Sequence, residues 1–205
     1  MILLRQIKKR DKVNFMGFVH CNLRVLMAER GLNIQNVKDK TTLSRTTISN
    51  LYNNNGSGVQ YDTLVQLCTL LKCTPGDILT FVDISLHFED ITTNSDVNTM
   101  ISGHVLDSSD NSGYDFLSKI TTALIIECKL FYEGNELHFK FKVDITADLD
   151  EEKHIDFDKI TSKEFTSSLE SLNAPLYVKD YINEKLDLFL FEWISDYVNS
   201  YEFEK

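Results

Sequence analysis

The sequence predicts an α+β fold in two parts, a small all-helical domain followed by an antiparallel β-sheet domain that ends on a long helix. Three observations carry this. From Asn22 to about Phe81 apolar residues recur at steps of three and four, from Ile126 to Ile145 they alternate with polar ones, and from Val178 to Tyr197 the helical step returns. With 205 residues, 42% of them hydrophobic and 11% aromatic, the chain holds enough apolar material for two small cores and too much for a disordered polymer.

Five helices fit the first part. Leu23, Leu26 and Met27 share a face of the first, which Gly31 ends because it adopts the left-handed conformation without a Cβ penalty. Asn33 caps the second helix, which runs to about Lys40. After Thr41-Thr42-Leu43, Ser44 caps a third helix from Arg45 to about Asn53, whose Ile48 and Leu51 face inward and leave Arg45, Thr46, Ser49 and Asn50 outward. The turn NNNGSG and Asp62 precede a fourth helix with Leu64, Leu67, Cys68 and Leu71 on one stripe, and Thr74-Pro75-Gly76-Asp77 starts a short fifth.

In the second part, Ile126, Cys128, Leu130 and Tyr132 alternate with Glu127, Lys129 and Phe131, and Leu137, Phe139, Phe141, Val143 and Ile145 with His138, Lys140, Lys142 and Asp144. Glu133-Gly134-Asn135-Glu136 between them predicts an antiparallel hairpin, joined by strands near Ile84 to Phe88 and Ile101 to Leu106. Asn94 to Gly113, rich in Ser, Asn and Asp, reads as containing mobile loops. Val178, Ile182, Leu186, Phe189, Trp193 and Tyr197 give the last helix an aromatic face toward the sheet. A second row, Tyr181, Leu188, Phe191, Ile194 and Tyr201, is wider than one sheet contact needs and suggests deep burial or a partner interface.

Charge divides the chain at the same place. Residues 1–82 hold 11 Lys and Arg against 5 Asp and Glu, while residues 83–205 hold 10 against 26, so a net +6 precedes a net −16. Any nucleic-acid contact therefore belongs to the first part, because phosphates repel the second. The expected organisation is a basic arm at 1–18, a basic helical domain at 19–82 and an acidic α+β domain for dimerisation or partner binding at 83–205. Arg5, Lys8, Lys9, Arg10 and Lys12 form an arm suited to tracking DNA, or an inert leader.

Much chemistry is set aside. Cys21, Cys68, Cys73 and Cys128 have neither metal-ligand nor disulfide-framework spacing, so reduced structural thiols are expected, with Cys68 in the core. No catalytic motif, phosphate loop or calcium loop occurs, so no enzyme activity, cofactor or metal is expected. There is neither a secretory signal nor an apolar run of membrane-spanning length, which reads as a cytoplasmic protein.

The stretches NLRVLMAERGLN, LSRTTISNLYNN and YDTLVQLCTLLKCTPGDIL, over about Asn22 to Phe81, resemble in order and spacing the phage-repressor type (XRE, lambda-repressor-like) helix-turn-helix family. The chain departs from it at Lys38, where the family has a small residue, and at Thr42, where it often has Gly. The acidic half resembles no recognised family. The resemblance implies that the third helix enters the major groove, where Arg donates twice to guanine, Asn pairs with adenine and a Thr methyl meets the thymine methyl. Base-reading roles fall on Arg45, Thr46, Thr47 and Asn50. Phosphate contacts fall on Ser44, Asn53, Asn54, Ser57, Lys38 and Lys40.

The function implied is a sequence-specific transcriptional regulator, a repressor acting as a homodimer on an inverted-repeat operator. The alternative is a dual-function anti-CRISPR or antitoxin protein. Its acidic domain would inhibit a basic nuclease or toxin through Asp148, Asp150, Glu151 and Glu152 while the helix-turn-helix represses its own gene.

Overall fold

The computed structural model describes residues 14–15, 17–56, 58–93, 97–106, 113–150 and 154–202. The chain divides into two compact units, Met16–Ile84 on one hand and Ser85–Lys205 with Met1–Phe15 on the other. The basic arm residues Arg5, Lys8, Lys9, Arg10 and Lys12, together with Ser57, Glu151 and Glu152, lie outside the described residues. Asn14–Phe15 (β1) is a short strand of the second unit.

The first unit runs through strand Phe18–Cys21 (β2), helices Leu23–Glu29 (α1), Ile34–Lys40 (α2), Arg45–Tyr52 (α3), Tyr61–Leu71 (α4) and Pro75–Ile78 (α5), and strand Leu79–Val82 (β3). Its helix ends follow the local chemistry. Gly31 takes φ +63° and the Leu32 N–H donates back to the Met27 carbonyl at 2.9 Å, which closes α1. Asn33 Oδ1 accepts from the Asn36 N–H while Asn36 Oδ1 accepts from the Asn33 N–H, a reciprocal cap built from two asparagines. Leu23, Met27, Val37, Ile48, Leu67 and Ile78 are completely buried and form the centre of this core.

Three features differ from the sequence expectation. Helix α4 starts at Tyr61 and takes Asp62 into its first turn, where the Asp62 carboxylate accepts from Gln66 Nε2 at 2.7 Å, one turn later on the same helix. The last helix stops at Ile78, and the next four residues form β3, antiparallel to β2 from Cys21 opposite Leu79 to Phe18 opposite Val82. A four-residue strand is too short to show as a period. Gly17 precedes β2 where a Cβ would stand 2.6 Å from the Val82 carbonyl oxygen, so no larger residue fits without displacing the backbone. Cys68, finally, is half-buried at the edge of the core.

In α5 the Asp77 carboxylate accepts from the Thr74 N–H and hydroxyl, both at 2.7 Å, and these bonds hold it below the usual carboxylate range. The stabilisation is present above the ordinary carboxylate pKa and is lost as pH falls through the lowered one.

The second unit is a sheet of Ile84–Asp90 (β4), Asn98–Leu106 (β5), Gly113–Tyr132 (β6), Asn135–Leu149 (β7) and Ile155–Thr161 (β8), with helices Lys163–Ser171 (α6) and Leu176–Glu202 (α7). The order is β1-β4-β6-β7-β8, and β5 also pairs with β6. The central hairpin turns on Glu133 and Gly134, at φ +46° and +81°, with Tyr132 opposite Asn135. Two consecutive left-handed residues favour glycine at the second position. One face buries Leu124, Ile126, Cys128 and Leu130 of β6 and Phe141, Val143, Ile145 and Ala147 of β7. Phe165 of α6 packs there on Phe141, with ring centroids 4.6 Å apart.

The buried row of α7 is Val178, Ile182, Leu186, Leu190, Ile194 and Val198. It departs after Leu186 from the expected Phe189, Trp193 and Tyr197. A step of four residues advances about 40° beyond a full turn, so a strict i+4 row drifts around the helix. The three aromatics are half-buried flanks. Phe189 meets Phe88 with centroids 5.8 Å apart, Trp193 Nε1 donates to Asp90 Oδ2 at 3.1 Å, and Trp193 stacks on Tyr197. Of the second predicted row, Leu188 and Phe191 are exposed and Ile194 is buried.

Among the described residues no helix is long and apolar enough to cross a membrane, and no group of three His, Cys, Asp or Glu is placed to hold a metal. Cys21 and Cys128 are buried, and burial pushes the Cys128 thiol up to about 12, whereas Cys68 and Cys73 are half-buried. In native protein at pH 8, a maleimide is therefore expected to label Cys68 and Cys73 well before Cys21 and Cys128, as read by peptide mass spectrometry. Early labelling of Cys128 would contradict its place in the sheet core.

Candidate nucleic-acid interface

The candidate surface is built on α3. Ser44 is extended, at φ −68° and ψ 151°, and its Oγ accepts from the Thr47 N–H at 3.0 Å, which starts the helix on a fixed residue. Ile48 and Leu51 point into the core, leaving Arg45, Thr46 and Asn50 exposed and Ser49 half-buried. A rigid apolar underside thus carries a polar outer face, as groove reading requires.

The expected site residues fall into three groups. Arg45, Thr46 and Asn50 share the exposed face of α3, and Lys38 and Lys40 are exposed in the last turn of α2. Ser44, Thr47 and Asn53 have local partners: the Ser44 and Thr47 hydroxyls are 2.9 Å apart, and Asn53 Nδ2 donates to Ser49 Oγ at 3.3 Å. Thr47 is half-buried, so its side chain serves the cap more directly than the outer face.

Asn54 is placed differently from the phosphate role expected of it. At φ +57° it ends the turn after α3, and its amide clamps Cys21: Oδ1 accepts from the Cys21 N–H at 2.6 Å and Nδ2 donates to the Cys21 carbonyl at 3.2 Å. Both side-chain polar atoms are committed to β2, 33 residues away in sequence. Asn54→Ala loses the clamp and keeps the left-handed strain, so a fall in stability of about 1 to 3 kcal/mol is expected in thermal or urea melts. A change below about 0.5 kcal/mol would show that the clamp contributes little.

Arg24 was not singled out from the sequence. Its guanidinium stacks over the Tyr52 ring at 5.5 Å from the centroid and so stands at the far end of α3. Cations therefore mark both ends of the helix, Arg45 at the first position and Arg24 against the last. Arg30 is used otherwise, donating to the Leu71 carbonyl at 2.7 Å and the Leu26 carbonyl at 3.0 Å. No residue spacing in α1 or α3 foretold the Arg24–Tyr52 contact, which depends on how the two helices pack.

A surface of this kind, a capped short helix with a polar outer face on a small helical core, defines a helix-turn-helix module. Residues 22–83 form a Cro/C1-type helix-turn-helix DNA-binding domain of the XRE family, matching the model of that family. The chain is also similar to the uncharacterized HTH-type transcriptional regulator YozG of Bacillus subtilis (strain 168), 28% identical over 60 residues that cover 29% of this chain and 71% of that protein. No solved structure matches the chain.

The acidic residues proposed for a partner are placed in part. Asp148 lies on the exposed face of β7 and pairs with Lys119 at 3.2 Å, and Asp150 bonds His154, its Oδ2 standing 2.9 Å from Nδ1. The strand register sets Asp156 opposite Asp148 and Asp158 opposite Thr146 on the same face.

Proposed function

We propose that this protein is a sequence-specific DNA-binding transcriptional regulator, a repressor that acts as a homodimer on an inverted-repeat operator. The observation that carries the reading is the outer face of α3, where Arg45, Thr46 and Asn50 are exposed together on a helix fixed at both ends. Bidentate Arg and Asn contacts are the usual means of telling base pairs apart in the major groove. The similar Bacillus protein, named as an uncharacterized HTH-type transcriptional regulator, supports the DNA-binding regulator part of this reading.

Arg45, Thr46 and Asn50 read bases, Thr47 adds a methyl at the groove edge, and Lys38, Lys40, Arg24, Ser44 and Asn53 set the register on phosphates. One short helix reads few base pairs, so residues 83–205 join two copies. Leu188 and Phe191, each 42% exposed on α7, are apolar residues that such a dimer would cover. Selection by the full chain from random-sequence duplexes is expected to enrich a two-fold symmetric motif, with half-sites about 34 Å or a multiple apart. Failure to enrich any sequence over random duplex would refute sequence-specific binding, and a strict monomer in sedimentation would refute the homodimer.

A second reading is favoured by one feature, the exposed carboxylates Asp144, Asp148, Asp156 and Asp158 gathered on one sheet face of a half with net charge −16. Such a field suits a basic protein surface, as in a nuclease inhibitor or antitoxin whose helix-turn-helix domain represses its own gene. Asp156→Asn with Asp158→Asn is then expected to weaken inhibition of the nuclease or toxin while operator binding holds. Unchanged inhibition would leave the repressor reading alone.

A further inference from the structure

The turn between α2 and α3 is four residues long, Thr41 to Ser44, and each of its hydroxyls is hydrogen-bonded. The Thr41 hydroxyl donates to the Val37 carbonyl at 2.8 Å, and the Leu43 side chain is buried in the core. Thr42 is different, because its partner lies outside the α2–α3 pair. Its N–H and its hydroxyl both donate to a single atom, Gln66 Oε1 on α4, at 2.8 and 3.0 Å. Gln66 is itself held, since its Nε2 donates to Asp62 Oδ2 at 2.7 Å one turn earlier on α4. The amide is thus oriented with its oxygen toward the turn and its nitrogen toward the carboxylate, and the opposite flip would set donor against donor at Thr42 and acceptor against acceptor at Asp62.

We infer that Gln66, oriented by Asp62, is a positioning residue for base reading: it anchors the α2–α3 turn to α4 and thereby sets the angle at which α3 presents Arg45 and Asn50. This deepens the proposed function and rests on it. The leverage comes from position. Thr42 precedes the Ser44 cap by two residues, so a shift of the turn moves the start of α3, where Arg45 lies. Bidentate contacts to base edges tolerate only small errors in angle and distance, whereas contacts of Lys38 and Lys40 with phosphates accept a displaced helix. Loss of the anchor therefore affects specific binding more than general affinity. Gln66 touches no DNA and acts through Thr42.

The test compares three full-length proteins: wild type, Gln66→Ala, and the double variant Asp62→Asn with Gln66→Glu. The double variant exchanges donor and acceptor at constant charge. Its introduced carboxylate still accepts from Thr42, and its introduced amide still donates to that carboxylate. Binding is measured at fixed salt to the duplex that wild type selects from a random pool and to a scrambled duplex, together with the thermal midpoint. Gln66→Ala is expected to weaken binding to the selected duplex about tenfold, the size of one lost base contact, with little change on the scrambled one. The double variant is expected to restore most of the loss.

Wild-type affinity for the selected duplex in Gln66→Ala would overturn the inference while leaving the proposed function intact. Equal losses on both duplexes with a lowered midpoint would overturn it as well, since general loosening would then account for them. So would a double variant no better than Gln66→Ala. A wild-type protein that selects no sequence would instead sink the proposed function, and the inference with it.

Discussion

Leu186→Ala is expected to destabilise the second unit by about 2 to 5 kcal/mol, the usual cost of emptying a leucine site in a packed core. Leu186 has no exposed surface and lies in the middle of the buried row of α7, with Ile182 before it and Leu190 after it. The effect can be read without a label, because Trp193 is the sole tryptophan of the chain and its indole N–H is bonded to Asp90 of β4. Its emission reports whether α7 lies on the sheet. Leu176→Ala, at a position of the same helix that is 73% exposed, serves as the control and should cost less than about 1 kcal/mol. Equal shifts of the two variants in urea melts followed at Trp193 would mean that the helix buries a different face.

Much of the first unit was legible because its signals are local. Gly31 ends α1 through its own φ, Asn33 and Ser44 cap through side chains three residues from their partners, and Thr74-Pro75-Gly76-Asp77 states the start of α5 within four residues. The β2–β3 ribbon was not legible. Phe18 and Val82 are 64 positions apart, and neither four-residue strand alternates long enough to reveal itself. In the second unit the Glu133-Gly134 turn was plain, yet β8 and α6 went unread. In β8 the residues facing the core are Ile155, Phe157, Lys159 and Thr161, of which two are polar, while the apolar Ile160 lies on the exposed face. Lys159 reaches Asp187 and the Asn183 carbonyl of α7, so an ionic contact fills a position where a hydrophobic pattern was sought.

The site shows the same division between near and far. The outer face of α3 follows from the positions of Ile48 and Leu51, since the inward pair fixes what points outward. Asn54 looked like one more polar residue at a helix end, and only the fold brings Cys21 to its amide. Likewise Gln66 sits on the same helix as the core residues Leu64 and Leu67, and nothing in its neighbours announces that it faces Thr42, 24 residues earlier. Clamps of this kind depend on tertiary approach, which composition and period do not encode.

Arg45→Ala and Asn50→Ala are each expected to weaken binding to the selected duplex by about 1 to 3 kcal/mol, roughly 5- to 150-fold, while binding to scrambled duplex changes little. Both side chains are exposed on α3, and neither supports the core, so the thermal midpoint should stay within about 0.5 kcal/mol of wild-type stability. Two comparisons separate base reading from its neighbours. Lys38→Ala removes a cation at the end of α2 and should weaken binding to all sequences alike, lowering the salt slope by about one phosphate contact. Thr47→Val keeps a methyl but loses the hydroxyl that meets Ser44 at 2.9 Å, so it should show its effect first in stability. Arg45→Ala carries a sharper requirement, because a direct contact to guanine predicts a relaxed preference at one position of each half-site when the variant is put through the same selection. If its selected motif matched the wild-type motif at every position and only the overall affinity fell, Arg45 would be a phosphate contact, and base reading would rest on Asn50 and Thr46.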